Sequence, residues 1–120
     1  PNSAAAAYNL GVLVSADRPA EGLQWCRKAY QLQPNNPSYA YTYAFYLVEN
    51  EKTEPAISVL RKMVNEAVAY PDAYAMLGDL LERQGKLSEA MSVYRRGSQN
   101  QNLSERDRYT LTMKLKRLSR

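Results

Sequence analysis

The sequence predicts an all-α fold in which three helix–turn–helix repeats are followed by a C-terminal capping helix. Residues of matching size recur about every 34 positions, a period typical of helical repeat proteins. Within each period, small and large residues fall at helical spacings, and turn-forming residues separate the helices. The small residues are expected to let a neighbouring helix approach closely, and the large ones to fill the space between helices. The matched columns are Leu10-Gly11, Tyr43-Ala44 and Leu77-Gly78; Val14, Leu47 and Leu81; Gly22, Ala56 and Ala90; Cys26, Leu60 and Tyr94; and Ala29, Met63 and Gly97.

The helices of the three repeats can be placed from these columns. First helices are predicted over residues 4–16, 37–50 and 71–84, and second helices over 20–33, 54–68 and 88–99. Pro19 and Pro55 suit the first turn of a second helix, where a backbone N–H has no intrahelical partner. The first repeat is one residue short between Val14 and Gly22, where a turn joins two helices.

The chain opens with Pro1-Asn2-Ser3, which resembles Pro34-Asn35-Asn36 at the end of the first repeat. Residues 1–3 are therefore interpreted as the stub of an upstream repeat, with a flexible terminus as the alternative. The predicted organisation is a stub at 1–3, repeats at 4–36, 37–70 and 71–103, and a capping helix at 104–120.

The most aromatic stretch, residues 38–48, reads SYAYTYAFYLV and alternates as a half-buried β-strand does. Its position in the second repeat predicts a helix instead. At about 100° per residue the aromatic side chains then divide between two faces, the first of which is expected to pack against neighbouring helices. The first face carries Tyr39, Tyr43, Tyr46 and Leu47. The second face carries Tyr41, Phe45 and Val48.

The composition argues against an enzyme. The 120 residues include one cysteine, Cys26, and no histidine, so an internal disulfide and the usual zinc-ligand sets are excluded and the commonest general base is absent. We therefore expect no cofactor and no metal. Cys26 shares a column with Leu60 and Tyr94 and is expected to be a buried small hydrophobe. No apolar run approaches the ~18 residues of a membrane span.

The C-terminal segment carries the whole net charge of +4, because basic and acidic residues cancel over positions 1–103. Ser104 is expected to cap a helix that begins at Glu105. A terminal helix of a repeat array needs a polar outer face, which this segment supplies. The predicted inner stripe is Leu111, Leu115 and Leu118, flanked by Tyr109 and Met113.

Those basic residues also permit a different interpretation of the same segment. A cluster of cations can bind phosphate or acidic lipid. In this alternative, Lys114 and Arg117 form the patch together with Arg106, Lys116 and Arg120.

Two stretches carry a resemblance to a known family: YNLGVLV with GLQWCRKAYQLQP in the first repeat, and YAMLGDLLERQGKLSEAMSVYRRG in the third. They resemble the tetratricopeptide repeat, whose units of about 34 residues carry a Leu-Gly pair, then Ala and an aromatic residue, then Pro. The resemblance covers about residues 4–103. It departs from the family at Cys26, where an aromatic residue is usual, and at Tyr43-Ala44, where Leu-Gly is usual. It implies a right-handed superhelix that acts as a protein–protein interaction scaffold.

The resemblance also implies that the first helices line a concave groove for a partner protein, either an extended peptide or an amphipathic helix with apolar anchors and some basic character. The carboxylate clamp of the chaperone-binding subgroup is not expected, because its counterparts here include no cation; they are Tyr8, Val12, Thr42, Asp72 and Met76. The implied groove residues are Tyr8, Asn9, Val12 and Ser15; Ser38, Tyr41, Thr42, Phe45 and Glu49; and Asp72, Met76, Asp79, Glu82 and Arg83.

Three alternatives to a groove that binds a partner stay open from the sequence. Tyr41 and Phe45 can pack inside a tightly wound groove rather than meet a partner. The exposed end of the first repeat can pair with a second copy of the chain. A nucleic-acid-binding helical domain can use residues 106–120.

Overall fold

The computed structural model describes residues 3–120, which form seven α-helices and contain no β-strand. The all-α prediction is confirmed for this part of the chain, and the aromatic run lies within a helix. None of the helices described here is both long and apolar enough to cross a membrane. Most of the predicted stub at residues 1–3 lies outside the described residues. The helices are α1 (Ala4–Val14), α2 (Pro19–Leu32), α3 (Pro37–Glu49), α4 (Thr53–Asn65), α5 (Pro71–Arg83), α6 (Leu87–Ser98) and α7 (Glu105–Leu118).

Side-chain caps and prolines determine where most of these helices begin. The side chains of Ser3, Asn36 and Ser104 each accept a hydrogen bond from the backbone N–H three residues later, at 3.2, 3.2 and 3.0 Å. Each such cap stabilises a helix by about 1 kcal/mol. Two further starts, at Pro19 and Pro71, have a proline in the first position, where no N–H is needed, and α3 has Pro37 there in addition to its Asn36 cap.

Two helices end at least two residues earlier than the sequence predicts. Helix α1 ends at Val14 rather than at residue 16, and α4 ends at Asn65 rather than at residue 68. Ala67 has a φ of 54°, in the left-handed region, so the chain turns out of α4 there. The N–H of Val68 then donates to the carbonyl of Met63 at 3.1 Å, closing the helix end.

The turns inside the second and third repeats have the same construction. Glu51 and Gly85 occupy equivalent positions and have φ values of 61° and 75°. The residue after each donates its N–H back into the preceding helix, Lys52 to Leu47 at 2.8 Å and Lys86 to Leu81 at 2.9 Å. The α1–α2 turn of the first repeat, which is one residue shorter, contains no residue of positive φ among its described residues 15–18.

The chain divides into two compact units, Pro1–Val59 and Leu60–Arg120, with the boundary inside α4. In the first unit, α1 packs on α2 through two glycines. A Cβ atom on Gly11 would lie 2.5 Å from Sγ of Cys26, and one on Gly22 would lie 2.2 Å from Oγ of Ser15. The helices therefore approach as closely as the small residues predict. The buried side chains here include Ala7, Leu23, Cys26, Ala29, Ala40, Ala44 and Leu47.

The second unit repeats this packing with larger side chains. A Cβ atom on Gly78 would lie 2.2 Å from the Tyr94 ring, and one on Gly97 would lie 2.4 Å from Cδ1 of Leu111. Gly78 thus admits α6 against α5, and Gly97 admits α7 against α6. The largest buried side chains of this unit are Tyr74, Tyr94, Leu60, Leu77, Leu81 and Leu111.

Candidate partner-binding site

Each first helix presents one ridge to solvent, on the side opposite its buried stripe. We call this the outer ridge. Its central position is Val12 on α1, Phe45 on α3 and Asp79 on α5, which are equivalent in the repeats. Val12 is 43% exposed and Phe45 is 38% exposed, although both are apolar. The ridge carries no charged residue on α1, both apolar and charged residues on α3, and mainly charged residues on α5.

The outer ridge of α3 carries Ser38, Phe45 and Glu49, all of them exposed. Tyr41 and Thr42 flank this ridge and are half-buried. The Phe45 ring meets Tyr46 edge-on, with centroids 5.2 Å apart. The aromatic side chain is thus held by one neighbour while much of its surface stays accessible, which suits a contact residue.

The outer ridge of α1 carries Asn9 and Val12, both exposed, with Tyr8 half-buried beside them. The rings of Tyr8 and Tyr39 lie 5.0 Å apart, tilted by 35°, and join α1 to α3. Tyr39 was predicted to pack against a neighbouring helix, and this contact confirms it.

Ser15 does not belong to this surface. It is buried, its hydroxyl donates to the carbonyl of Gly11, and it lies against Gly22 of α2. The expectation that Ser15 lines the groove is therefore wrong. Ser15 has a helical backbone, and its N–H donates to the carbonyl of Gly11 at 3.1 Å. It lies four residues after Gly11, so the helical register continues the buried stripe of α1 to Ser15.

On α5, two of the implied groove residues, Asp79 and Glu82, form a polar cluster with the buried Tyr94 of α6. The hydroxyl of Tyr94 lies 2.8 Å from Oδ1 of Asp79 and also contacts Oε2 of Glu82. A phenol has a single proton, so it donates to one carboxylate at a time. Burial, together with these carboxylates, raises the pKa of Tyr94 well above its ordinary value.

Helix α7 brings two cations to the same carboxylates. Nζ of Lys114 lies 3.4 Å from Oδ1 of Asp79, and the Arg117 guanidinium donates to both oxygens of Glu82, at 2.8 and 3.0 Å. The Lys114 ammonium also lies 5.7 Å from the centre of the Tyr94 ring. The hydrogen bond from Arg117 lowers the pKa of Glu82. The acidic charge of this part of α5 is therefore balanced from within the second unit.

The sequence contains a signal for this cluster that the repeat columns do not show. Asp79 and Glu82 are three residues apart, and so are Lys114 and Arg117. Lys114 follows Asp79 by 35 positions, and Arg117 follows Glu82 by the same number. Residues three apart lie on one helix face, so two carboxylates on α5 can face two cations on α7. The remaining α5 positions are Met76, which is half-buried, and Asp72 and Arg83, which are exposed.

A family model described as anaphase-promoting complex, cyclosome, subunit 3 matches residues 20–97, well over half of the chain. The chain belongs to this family. It is a family of tetratricopeptide-type repeats, so the resemblance seen in the sequence is confirmed. A comparison with curated proteins gave no match. Tetratricopeptide-type repeats generally act as protein–protein interaction scaffolds rather than enzymes.

The single thiol of the chain lies in one of the repeat columns. Cys26 occupies a place where the family usually has an aromatic residue, and it is 1% exposed. Burial raises its pKa to about 11, so the reactive thiolate is scarce at neutral pH. The prediction of a buried small hydrophobe is confirmed.

The helix that follows the last tetratricopeptide repeat packs through the predicted stripe: Leu111 is buried, and Leu115 and Leu118 are half-buried. The expectation that Tyr109 and Met113 flank this stripe is wrong. Both are exposed, because they lie about half a turn away from Leu111 around α7.

Proposed function

We propose that this chain is a scaffold that binds a segment of another protein on the outer ridges of its first helices. The observation that carries the proposal is the exposure of the apolar side chains Val12 and Phe45 on ridges where a solvated helix ordinarily carries polar residues. The contact residues in this proposal are Tyr8, Asn9, Val12, Tyr41, Thr42 and Phe45 in the first unit, and Met76, Asp79, Glu82 and Arg83 in the second.

The chemistry of the ridges defines the partner segment. The α1 and α3 ridges would take apolar anchors from an extended peptide or an amphipathic helix. On the second unit, the exposed carboxylate of Asp72 supports a basic residue in a partner that binds the α5 ridge. Asp79 and Glu82 are already paired with α7, so they would contribute by accepting further hydrogen bonds rather than by net charge. A free C-terminal carboxylate finds no cation at the clamp positions Tyr8, Thr42 and Met76.

We assign no reaction to the chain. The sequence has no histidine, and its one thiol is buried with a raised pKa. Neither feature suits general base or nucleophilic catalysis at neutral pH. The proposed role is to hold a partner and to position it.

Alanine at Phe45 tests the proposal, with Leu32→Ala as the matched control. Leu32 is an apolar residue of similar exposure, 45%, at the end of α2. Phe45→Ala is expected to abolish affinity capture of partners that wild type retains, while lowering stability by no more than about 1 kcal/mol. Leu32→Ala should capture as wild type does. Equal capture by wild type and Phe45→Ala, or a large loss of stability in Phe45→Ala, would mean that the ring has a packing role.

A second candidate function is self-association through α1. This helix contains no charged residue, and Leu13 is 76% exposed on it. Such a face suits contact with a second copy. Analytical ultracentrifugation over a range of concentrations should show a dimer that Leu13→Glu dissociates. A monomer at every concentration would remove this candidate.

A further inference from the structure

Helix α7 uses three of its five cations inside the second unit. Lys114 and Arg117 pair with carboxylates of α5, and Arg108 donates to the carbonyl of Leu103 at 2.8 Å. The phosphate patch considered from the sequence therefore loses its two central members, Lys114 and Arg117.

The other two cations of α7, Arg106 and Lys116, lie on its opposite side, and Arg120 follows just after the end of the helix. Arg106, Lys116 and Arg120 are exposed, and within residues 3–120 none of them forms an ion pair. Tyr109, 65% exposed, and Met113, 41% exposed, lie among them. At 3.6 residues per turn, the four of these side chains that belong to α7 fall on one continuous strip around the helix. We call this strip, together with Arg120 just beyond the end of α7, the α7 outer face.

We propose that the α7 outer face is a second docking surface, which binds an acidic segment of a partner protein that also carries an apolar anchor. Charge complementarity argues for this occupant, because three uncompensated cations match a short run of Asp and Glu. Arg106 and Lys116 lie roughly 15 Å apart along α7, and Arg120 follows its C-terminal end. The ring of Tyr109 and the thioether of Met113 offer an adaptable apolar contact between those cations. This surface shares no residue with the outer ridges of α1 and α3.

Two other anionic partners fit the same face less well. A membrane-surface helix needs a broad exposed apolar face, and the leucine stripe of α7 is turned into the second unit instead. Nucleic acid binding of this kind would rest on three phosphate contacts, which give only weak, salt-limited affinity. It would also leave Met113 without an apolar partner.

Fluorescence anisotropy with a labelled acidic peptide tests the proposal. The probe is a fluorescein-labelled peptide of Asp and Glu residues with Leu and Phe anchors. The test variant is Arg106→Gln/Lys116→Gln/Arg120→Gln. The matched control, Arg27→Gln/Lys52→Gln/Lys86→Gln, removes the same charge from exposed positions elsewhere.

Wild type is expected to bind the peptide saturably, and the α7 triple variant to bind it about tenfold more weakly, from three exposed charge pairs. The matched control should stay close to wild type. A Tyr109→Ala/Met113→Ala variant should also weaken binding, and Phe45→Ala should not, since it alters a different surface.

Three results would overturn the proposal. The first is no saturable binding of the peptide by wild type. The second is equal loss in both triple variants, which would mean that only net charge matters. The third is tighter binding of a single-stranded oligothymidine, or of phosphatidylcholine–phosphatidylserine vesicles, than of the peptide. Circular dichroism of each variant confirms that α7 is still folded, since all the substituted side chains are exposed.

Discussion

Replacing Leu111 by alanine should detach α7 more effectively than any other single change in that helix. Leu111 is the buried residue of α7, and its Cδ1 occupies the space that a side chain on Gly97 would need. The substitution removes three buried carbons, which costs about 2.4 kcal/mol in transfer free energy. Gly97 has no side chain that could fill the space, so a cavity term should raise the loss to about 3–4 kcal/mol.

Urea denaturation followed by circular dichroism measures this loss, and hydrogen exchange of the α7 amides shows where it acts. Met113→Ala, on the exposed side of the same helix, should change stability by less than about 0.5 kcal/mol. Gly97→Ala should destabilise wild type, yet cost less in a Leu111→Ala background, because the clash with Leu111 is then removed and only the tight contacts with the Tyr74 ring, at 3.0 and 3.1 Å, are left. Additive effects of Gly97→Ala and Leu111→Ala would refute the packing described for α6 and α7.

Three further predictions concern turns, charge and the thiol. Glu51→Gly should stabilise the protein by up to about 1 kcal/mol and Gly85→Ala should destabilise it similarly, as measured by urea unfolding, because both positions have left-handed backbones. The pKa of Glu82 is lowered, so its contribution to stability is present at neutral pH and lost as pH falls through the folded pKa; Glu82→Gln should flatten this acid limb in pH-dependent melting. Cys26 should react with a thiol reagent only after denaturant is added, since it is buried and its pKa is about 11; rapid labelling of native protein would contradict this.

The repeat columns predicted most of the fold because they record packing constraints. A small residue at Gly78 and a large one at Tyr94 are two halves of one helix contact, so their spacing in the sequence reflects a distance in space. The same reasoning explains why residues 38–48 form a helix although their pattern alternates. Local alternation describes one segment, whereas the buried positions Ala40, Ala44 and Leu47 are set by contacts with neighbouring helices.

The details that sequence reasoning missed depend on which face of its helix a residue occupies and on which neighbour it meets. Ser15 lies four residues after Gly11, on the buried face of α1, but this position belongs to none of the repeat columns. The pairing of Asp79 and Glu82 with Lys114 and Arg117 joins a helix of the third repeat to α7. Because α7 lies outside the repeats, no repeat column could show this pairing. Tyr109 and Met113 were grouped with the leucine stripe by proximity in sequence, although they lie on the other side of α7.

Site-specific cross-linking at position 45 tests the proposed function most directly. A photoreactive benzoylphenylalanine replaces Phe45 in cells that make the protein, and the same group at Leu32 serves as the control. We expect a covalent adduct with another protein from position 45 and none from position 32. Absence of an adduct at position 45, or equal adducts at both positions, would contradict the proposal that the α3 outer ridge holds a partner.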